Sequence, residues 1–577
     1  MNAKQTNENL GQAAAERCAG EALLDLLKRR GVRYFFANSG TDFASLVEGM
    51  ANAQVTGAAV VPTLLVPHEN VAVGMAYGVA MVTGEPQAVM VHVNVGTANA
   101  LCGLINASRE NVPMLLMAGR TPLYESGPPG ARSMNIHWAQ EMFDQAGIVR
   151  EHVKWDYELR SAAQLESVLD RALAISSTEP KGPVYLTMPR EILAQTAAAL
   201  ASPSAPTTGS ASAPLPDPAQ IEQVAKMLAG AQKPLVITSR AGREPEAVPL
   251  LERFAERYAM PVVEFRPKHL SIASDHPMHG GFEVDPWLEE ADAVLVLDCD
   301  VPWIPGLKEP RAGTPIIQTG IEPLFGRYPT RGFRADLMIT AAPARFIAAL
   351  DAAMGKLTDT SARSKLDARS TRIAARAKQR ADQAAAAIQA ARRAKPMGFA
   401  WVTHCLASAA GEDAIFVNEY SLVRSAMRTA KPGSFFGSSP VGGLGWGVPA
   451  ALGAKLAAPD RMVVAAVGDG SYTFANPLAC HHAAAEHGIA TLTVVFNNGG
   501  YGAVERAARS MYPKGQAARH GMPLAWFRQM PAFEKVIESC GGYGERVEDA
   551  EALPAALERA VSAVRGGQPA LLNVISA

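Results

Sequence analysis

The sequence predicts an α/β protein made of three doubly wound, parallel-sheet domains. Three observations lead there. Short apolar runs rich in β-branched residues recur along the chain and stop at turn residues, as at 462–467 before Gly468-Asp469-Gly470 and at 491–496 before Asn497-Asn498-Gly499-Gly500. Such runs read as buried parallel strands. Stretches of helical length separate them, and that alternation builds sheets covered by helices. The 577 residues are also enough for several separate cores.

In chain order, residues 14–30 set Leu23, Leu24, Leu26 and Leu27 on one helical face. Strands are expected at 34–37, 63–66, 88–93 and 113–119, with small-residue helices after the second and third, in a first domain spanning 1–199. Residues 200–218, LASPSAPTTGSASAPLPDP, have no periodicity and read as a linker. A middle domain at 219–353 has strands at 235–238, 261–264, 293–297 and 314–319. Its Ser239-Arg240-Ala241-Gly242-Arg243 turn could grip an anion or a nucleotide phosphate, but a lone basic turn reads better as a solvated loop. Residues 354–395, rich in Ala, Arg, Lys and Gln, form a connecting helix. The third domain, 396–577, opens with a strand at 414–418 and contains the two runs above, joined by a crossover helix at 475–487.

Composition narrows the function. Balanced charge, 54 basic against 55 acidic residues for a net of −1, makes no case for a nucleic-acid partner. The cysteines at 18, 102, 299, 405, 480 and 540 are scattered without a CxxC, the pattern of a reducing compartment. The first twenty residues contain no apolar core segment and no run of 18 apolar residues occurs, so neither a signal peptide nor a membrane span is expected. A cytoplasmic enzyme is the expectation.

The chemistry gathers at strand ends. Asp469 and Asn498 both follow strands of one βαβ unit, where α/β sheets bind ligands. A carboxylate, an amide oxygen and carbonyls exposed by glycine turns are hard donors suited to Mg²⁺. Gly470 and Gly499 let the backbone come close to a ligand. Either turn alone is an ordinary βαβ connection; both together, separated by the 26 residues 471–496, are far more selective. Glu69 stands at another strand end, opening a helix of Ala, Gly and Val. It could exchange a proton there, or simply interact with the helix macrodipole; spacing leaves both readings open. Phe435, Phe436, Trp446, Tyr472 and Tyr501 offer aromatic surface near these turns.

The Gly-Asp-Gly followed by Asn-Asn at this distance resembles the diphosphate motif of thiamine diphosphate (ThDP) enzymes, and the resemblance runs from Glu21 to Ile575 in the order pyrimidine-binding, middle, diphosphate-binding. It implies Mg²⁺ on Asp469, Asn498 and the carbonyl of Gly500, with cofactor contacts from Gly468, Gly470, Ser471 and Tyr501. His68-Glu69-Asn70-Val71-Ala72-Val73-Gly74-Met75-Ala76-Tyr77-Gly78 resembles the segment whose glutamate bonds N1′ of the aminopyrimidine, which gives Glu69 the activating role. Leu444, 25 residues before Asp469, matches the apolar wedge beneath the cofactor, with Gly443 against the aminopyrimidine. His92-Val93-Asn94-Val95-Gly96-Thr97-Ala98-Asn99 resembles a segment of benzoylformate decarboxylase-like enzymes, which makes His92 a proton-handling residue. Asn38-Ser39-Gly40-Thr41 resembles their Asn-Pro-Gly-Ser, with Thr41 in place of the serine that contacts the substrate carboxylate. Those relatives also use a middle-domain histidine, and DCDVPWIPG at 298–306 has none.

What the resemblance implies is ThDP- and Mg²⁺-dependent decarboxylation of a small-molecule 2-oxo acid, with carboligation to a second carbonyl compound as a further outcome. The alternatives are an acetolactate synthase-type carboligase acting on pyruvate and, further off, a 2-hydroxyacyl-CoA lyase or acyl-CoA decarboxylase. Acetolactate synthases carry FAD in the matching middle domain, but nothing in this sequence supports FAD. The resemblance further implies a homodimer or homotetramer with active sites at the subunit interface.

Overall fold

The computed structural model describes residues 17–197, 205–357 and 363–577. Residues 14–16 of the first expected helix, 200–204 of the expected linker and 358–362 of the expected connecting helix lie outside the described residues.

The strands in chain order are β1 (Arg17–Cys18), β2 (Phe35–Ala37), β3 (Thr63–Leu65), β4 (Gln87–Val91), β5 (Met114–Arg120), β6 (Asp156–Glu158), β7 (Pro183–Pro189) and β8 (Thr196–Ala197). They continue as β9 (Pro234–Thr238), β10 (Val262–Glu264), β11 (His279–Gly281), β12 (Ala293–Leu297), β13 (Ile316–Gly320) and β14 (Leu337–Thr340). The last group is β15 (Ile415–Glu419), β16 (Phe435–Gly437), β17 (Val463–Gly468), β18 (Leu492–Asn497), β19 (Tyr543–Val547) and β20 (Ala570–Ile575). β1 and β8 form a small antiparallel ribbon. The remainder make three six-stranded sheets, ordered β3-β2-β4-β5-β7-β6, β11-β10-β9-β12-β13-β14 and β16-β15-β17-β18-β20-β19. Every pairing in them is parallel. The protein therefore has the three parallel α/β sheets that the sequence predicts.

Counted from its own first strand, the first sheet runs 2-1-3-4-6-5 and so does the third; the middle sheet runs 3-2-1-4-5-6. In each, the order reverses beside the sheet's first strand, and a crevice opens at the carboxyl ends of the two strands flanking that reversal. Those strands are β2 and β4, β9 and β12, and β15 and β17.

The structure departs from expectation in two ways. Edge strands β6, β11, β14, β16 and β19 escape the sequence reading because they are short, glycine-bearing or half exposed, and the buried runs β7 and β20 were not singled out. The crossover helix expected at 475–487 is found as Pro477–Glu486, and a separate short helix, Asp469–Phe474, precedes it. Between them Asn476 takes a left-handed φ of 54°. Pro477 explains the break, since proline suits the first turn of a helix and disfavours helical backbone in the residue before it.

The described chain divides into two compact units. One holds the described residues up to Ser212 with Ser439–Ala457 and His482–His487; the other holds Ala213–Ser438, Ala458–His481 and Gly488–Ala577. In the second unit, the helix Arg363–Arg393 uses its arginines on protein: buried Arg369 donates to the carbonyls of Tyr258 (2.9 Å) and Ala231 (2.5 Å). Among the described residues no helix is long and apolar enough to cross a membrane, and all six cysteines are free.

In the first unit, the helix Glu69–Thr83 packs along the helix Gly447–Ala457. Their small residues allow near backbone contact. A Cβ on Gly78 would lie 2.0 Å from the carbonyl oxygen of Ala450, and one on Gly453 would lie 1.9 Å from that of Met75. Alanine gains about 1 kcal/mol over glycine in helix propensity, but overpacking costs about 1–3 kcal/mol, and here the obstacle is backbone. Gly453→Ala is therefore expected to lower the urea unfolding midpoint; an unchanged or raised midpoint would refute the close seam.

Candidate functional site

At the β2/β4 crevice, Asn38 leaves β2 and its side-chain amide donates to the carbonyl of Val66 (2.8 Å), holding the turn in place. Thr41 is exposed at the start of a 3₁₀ turn, Thr41–Phe43. Its neighbour Asp42 is only 3% exposed and points inward. Asp42 Oδ1 lies 2.6 Å from His92 Nδ1, and Oδ2 accepts the Val93 N–H at 3.4 Å. The carboxylate can only accept, so Nδ1 carries the hydrogen. His92 is part-buried just past β4, and its Nε2 lies 3.4 Å from the side-chain nitrogen of Gln140. The hydrogen bond and charge of Asp42 hold the His92 imidazole above its ordinary range against the opposing effect of burial, with help from the charge of Glu69.

Two glycines and one strained residue make room for this pair. A Cβ on Gly40 would sit 2.2 Å from His92 Nδ1, and one on Gly119, at the end of β5, would sit 1.6 Å from Asp42 Oδ2. Val93 has φ 31°, a conformation that a β-branched residue rarely adopts. Asp42 is the residue that sequence reasoning missed. The legible signal was an acid two residues beyond Gly40 on one strand end and a histidine on the next.

Glu69 opens its helix, capped by His68 Nδ1 accepting from the Asn70 N–H (3.1 Å). Its side chain is 13% exposed, so it is neither solvated nor sealed, and its Oε2 accepts from Asn99 Nδ2 at 3.2 Å. The His-x-x-x-Gly-Thr-x-Asn segment thus works at both ends, with His92 on Asp42 and Asn99 on Glu69. Its centre is structural: Thr97 Oγ1 donates to the Val93 carbonyl (2.7 Å) and is 2.8 Å from the Tyr185 hydroxyl. Gly443 and Leu444 are part-buried in the same unit, and the Gly443 carbonyl accepts from Asn106 Nδ2 at 2.8 Å.

In the second unit, Asp469 follows β17 and is 3% exposed. Its Oδ1 accepts from the Gly470 N–H (2.7 Å), and its Oδ2 from the Gly499 (2.8 Å) and Gly500 (3.0 Å) N–H groups. The structure therefore brings Asp469 together with the turn after β18. Burial pushes its carboxyl up, and these backbone hydrogen bonds only partly offset that. Asn498 is part-buried, its Oδ1 3.3 Å from the Gly500 N–H. Gly468 is part-buried on the β17 ladder, and Ser471 is 6% exposed. Tyr501 packs edge-on against Phe527, and its ring carbons would lie 3.1–3.2 Å from a Cβ on Gly470. One carboxylate, one amide oxygen and glycine turns form a donor set that fits Mg²⁺. The expected aromatic surface is mostly core: Phe435, Phe436, Trp446 and Tyr472 are all at most 4% exposed, and Tyr501 alone is partly open. Each is drawn in by a sheet or helix neighbour.

The β9/β12 crevice corrects the solvated-loop expectation for Ser239–Arg243. Arg240 is 1% exposed. Its Nη2 donates to Asp300 Oδ2 (2.9 Å), which also accepts the Tyr328 hydroxyl (2.8 Å), while Arg331 Nε donates to the Asp300 carbonyl (2.8 Å). Arg240 and Arg331 both lie over the Phe325 ring, at 5.6 and 4.8 Å. Burial works against the Asp300 carboxylate, but Arg240 still holds it below the usual range. Arg240, Asp300, Tyr328 and Arg331 thus satisfy one another beyond the strand ends at this reversal.

Two sheets of one strand order and a third of another, each with a buried carboxylate beyond the strand ends at its reversal, make this a multidomain α/β protein with candidate sites at its crevices. The chain belongs to the thiamine pyrophosphate enzymes. It matches their N-terminal TPP binding domain over residues 17–148, their central domain over 221–350 and their C-terminal TPP binding domain over 419–574. Benzoylformate decarboxylase of Pseudomonas aeruginosa is 26% identical over 499 residues, covering 84% of this chain and 86% of that protein. The acetolactate synthase isozyme 3 large subunit of Escherichia coli is 25% identical over 540 residues, covering 89% and 87%. Among solved structures, the ThDP-dependent 4-hydroxybenzoylformate decarboxylase of Rhodococcus jostii RHA1 shares the fold with a TM-score of 0.76 at 22% identity, over 97% of this chain and 99% of that one. This is a ThDP-dependent enzyme related to both the decarboxylases and the acetolactate synthases.

The Arg240–Asp300 pair gives a stability test. Removing one partner of a buried pair costs about 3–5 kcal/mol, whereas an apolar pair of similar volume is often neutral. Asp300→Ala is expected to destabilise by that order in chemical unfolding, and Arg240→Met with Asp300→Leu to recover most of it. A mild Asp300→Ala would mean that the pair is solvated.

Proposed function

We propose that the enzyme decarboxylates a small 2-oxo acid of the benzoylformate type, with ThDP and Mg²⁺, and can pass the product carbon to a second carbonyl compound. The observation that carries this reading is His92, paired with Asp42 at the β2/β4 crevice within the electrostatic reach of Glu69. A proton-handling group so placed suits closure of the product carbon as an aldehyde. The decarboxylase and synthase relatives support the reaction class equally, and a pyruvate-consuming carboligase is the second reading, favoured by the lack of a histidine at 298–306.

Bound ThDP would supply a carbon nucleophile and an electron sink for the departing CO₂. Glu69 would hold a proton at N1′ of the aminopyrimidine, its carboxylate kept in place by Asn99. Leu444 would shape the cofactor from below and Gly443 would admit its aminopyrimidine. Asp469, Asn498 and the carbonyl of Gly500 would hold Mg²⁺ against the diphosphate, with Gly468, Gly470, Ser471 and Tyr501 lining it. Thr41, exposed at its turn, would offer a hydroxyl to the substrate carboxylate. The enzyme would act as a homodimer or homotetramer, as is usual in this family.

Benzoylformate and pyruvate offered side by side test the reading. Benzaldehyde with CO₂ from the first is expected, and Glu69→Gln should slow it by at least about 10²-fold while ThDP still binds. Acetolactate from pyruvate, with no benzaldehyde, would overturn the decarboxylase reading in favour of the synthase one. Separately, Asp469→Ala should abolish Mg²⁺-dependent ThDP binding in calorimetry; retained affinity would remove Asp469 from the metal site.

A further inference from the structure

We propose that Asp42 is the positioning residue that keeps His92 in its proton-donating form, and that it thereby sets how the product carbon is closed: by a proton, giving an aldehyde, or by a second carbonyl compound, giving a hydroxy ketone. The inference rests on the 2-oxo acid reading for its chemical consequence, but not for the pair itself.

The geometry gives the pair one working atom. Nδ1 is committed to Asp42 Oδ1 at 2.6 Å, so only Nε2 is left to exchange protons. Nε2 lies 3.4 Å from the Gln140 side-chain amide, which must turn its oxygen to Nε2 when that atom carries a proton, and the Gln140 backbone carbonyl is pinned by Asn94 Nδ2 (3.1 Å) and by Thr121 Oγ1 (3.3 Å). Three strand ends are built around the contact, since Gly40 and Gly119 leave space that a Cβ at either position would take from His92 or Asp42, and Val93 carries a strained backbone. Strain of that kind persists only where surrounding structure enforces it.

The step balances simply. CO₂ leaves the 2-oxo acid, the bonding electrons stay on the product carbon, and Nε2–H of the imidazolium supplies the proton that closes it. The neutral imidazole keeps Nδ1–H on Asp42 and regains its Nε2 proton from water. When Nε2 holds no proton, the same carbon is left for a carbonyl acceptor.

The charged and titratable groups that bear on His92 are Asp42 and Glu69, which favour the imidazolium, and His137, which is repelled by it; burial also disfavours the charge. Asp42 makes the largest contribution, so removing its charge should lower the titration of His92 towards or below the ordinary value of about 6.5. Each unit of that fall leaves about tenfold less imidazolium at a pH above it.

The test uses histidine-labelled full-length enzyme and Asp42→Asn, with Asp42→Glu as the conservative variant. NMR titration of wild-type His92, assigned by its loss in His92→Gln, should have its midpoint above 6.5; a midpoint below would overturn the proposal whether or not any variant folds. Asp42→Asn should lower that midpoint by at least about one pH unit and Asp42→Glu should restore part of it. With a 2-oxo acid and an aldehyde acceptor both present, the pH at which aldehyde product gives way to hydroxy ketone should fall by the same amount. A shifted midpoint with an unchanged product ratio would overturn the role in closure. A chain that turns over no 2-oxo acid defeats the function reading alone, because the titration still decides the pair.

Discussion

A parallel sheet whose strand order reverses must open at the reversal, because the two connections leave towards opposite faces. This protein meets that constraint three times, at β2/β4, β9/β12 and β15/β17. In each crevice it places a buried carboxylate just beyond a strand: Asp42, Asp300 and Asp469, all at most 5% exposed. Burying a carboxylate is unfavourable unless something compensates, so the function of each crevice follows from its compensating partner.

The three solutions differ. Asp300 is neutralised by Arg240 and capped by Tyr328, so its partners are side chains of the same domain. Asp42 is paired with His92, a partner whose charge can come and go near neutrality. Asp469 has only backbone N–H groups of its own glycine turns, and burial still pushes its carboxyl up. A divalent cation is the partner that would reverse that, which is why the third crevice suits a metal and the first a proton. The shared 2-1-3-4-6-5 order of the outer sheets and the distinct order of the middle one divide these roles along the same line.

Much of this was legible in the chain. The βαβ unit around Asp469 could be read because β-branched runs ended at glycine turns, and the central strand β12 was placed residue for residue. Glu69 stood out as a lone acid before an apolar helix. Asp42 did not, because the resemblance of Asn38-Ser39-Gly40-Thr41 drew attention to the hydroxyl one residue earlier, and only the fold brings residue 42 to residue 92. Arg240 misled for a similar reason: a basic turn looks solvated until its partner Asp300, sixty residues on, is set beside it. The crossover helix was legible, but the short helix Asp469–Phe474 before it was not, because its first residues are the glycine turn itself. Local pattern shows strands and turns; it does not show which turn ends share a crevice.

The helix after Glu69 carries the same lesson into the site itself. Its alanines and glycines looked like an apolar setting for a carboxylate, but their larger role is to let the helix Gly447–Ala457 approach to backbone contact at Gly78 and Gly453. That seam fixes two things at once. It locks the helix whose first residue is Glu69, and it anchors the loop that precedes its partner, where Gly443 is also held by Asn106. Glu69 and Leu444 are thus set by one packing surface within one unit, each presented to an active site that the resemblance places at the subunit interface. A side chain added to that seam would disturb both together, so the small residues are a condition of the site as much as of the core.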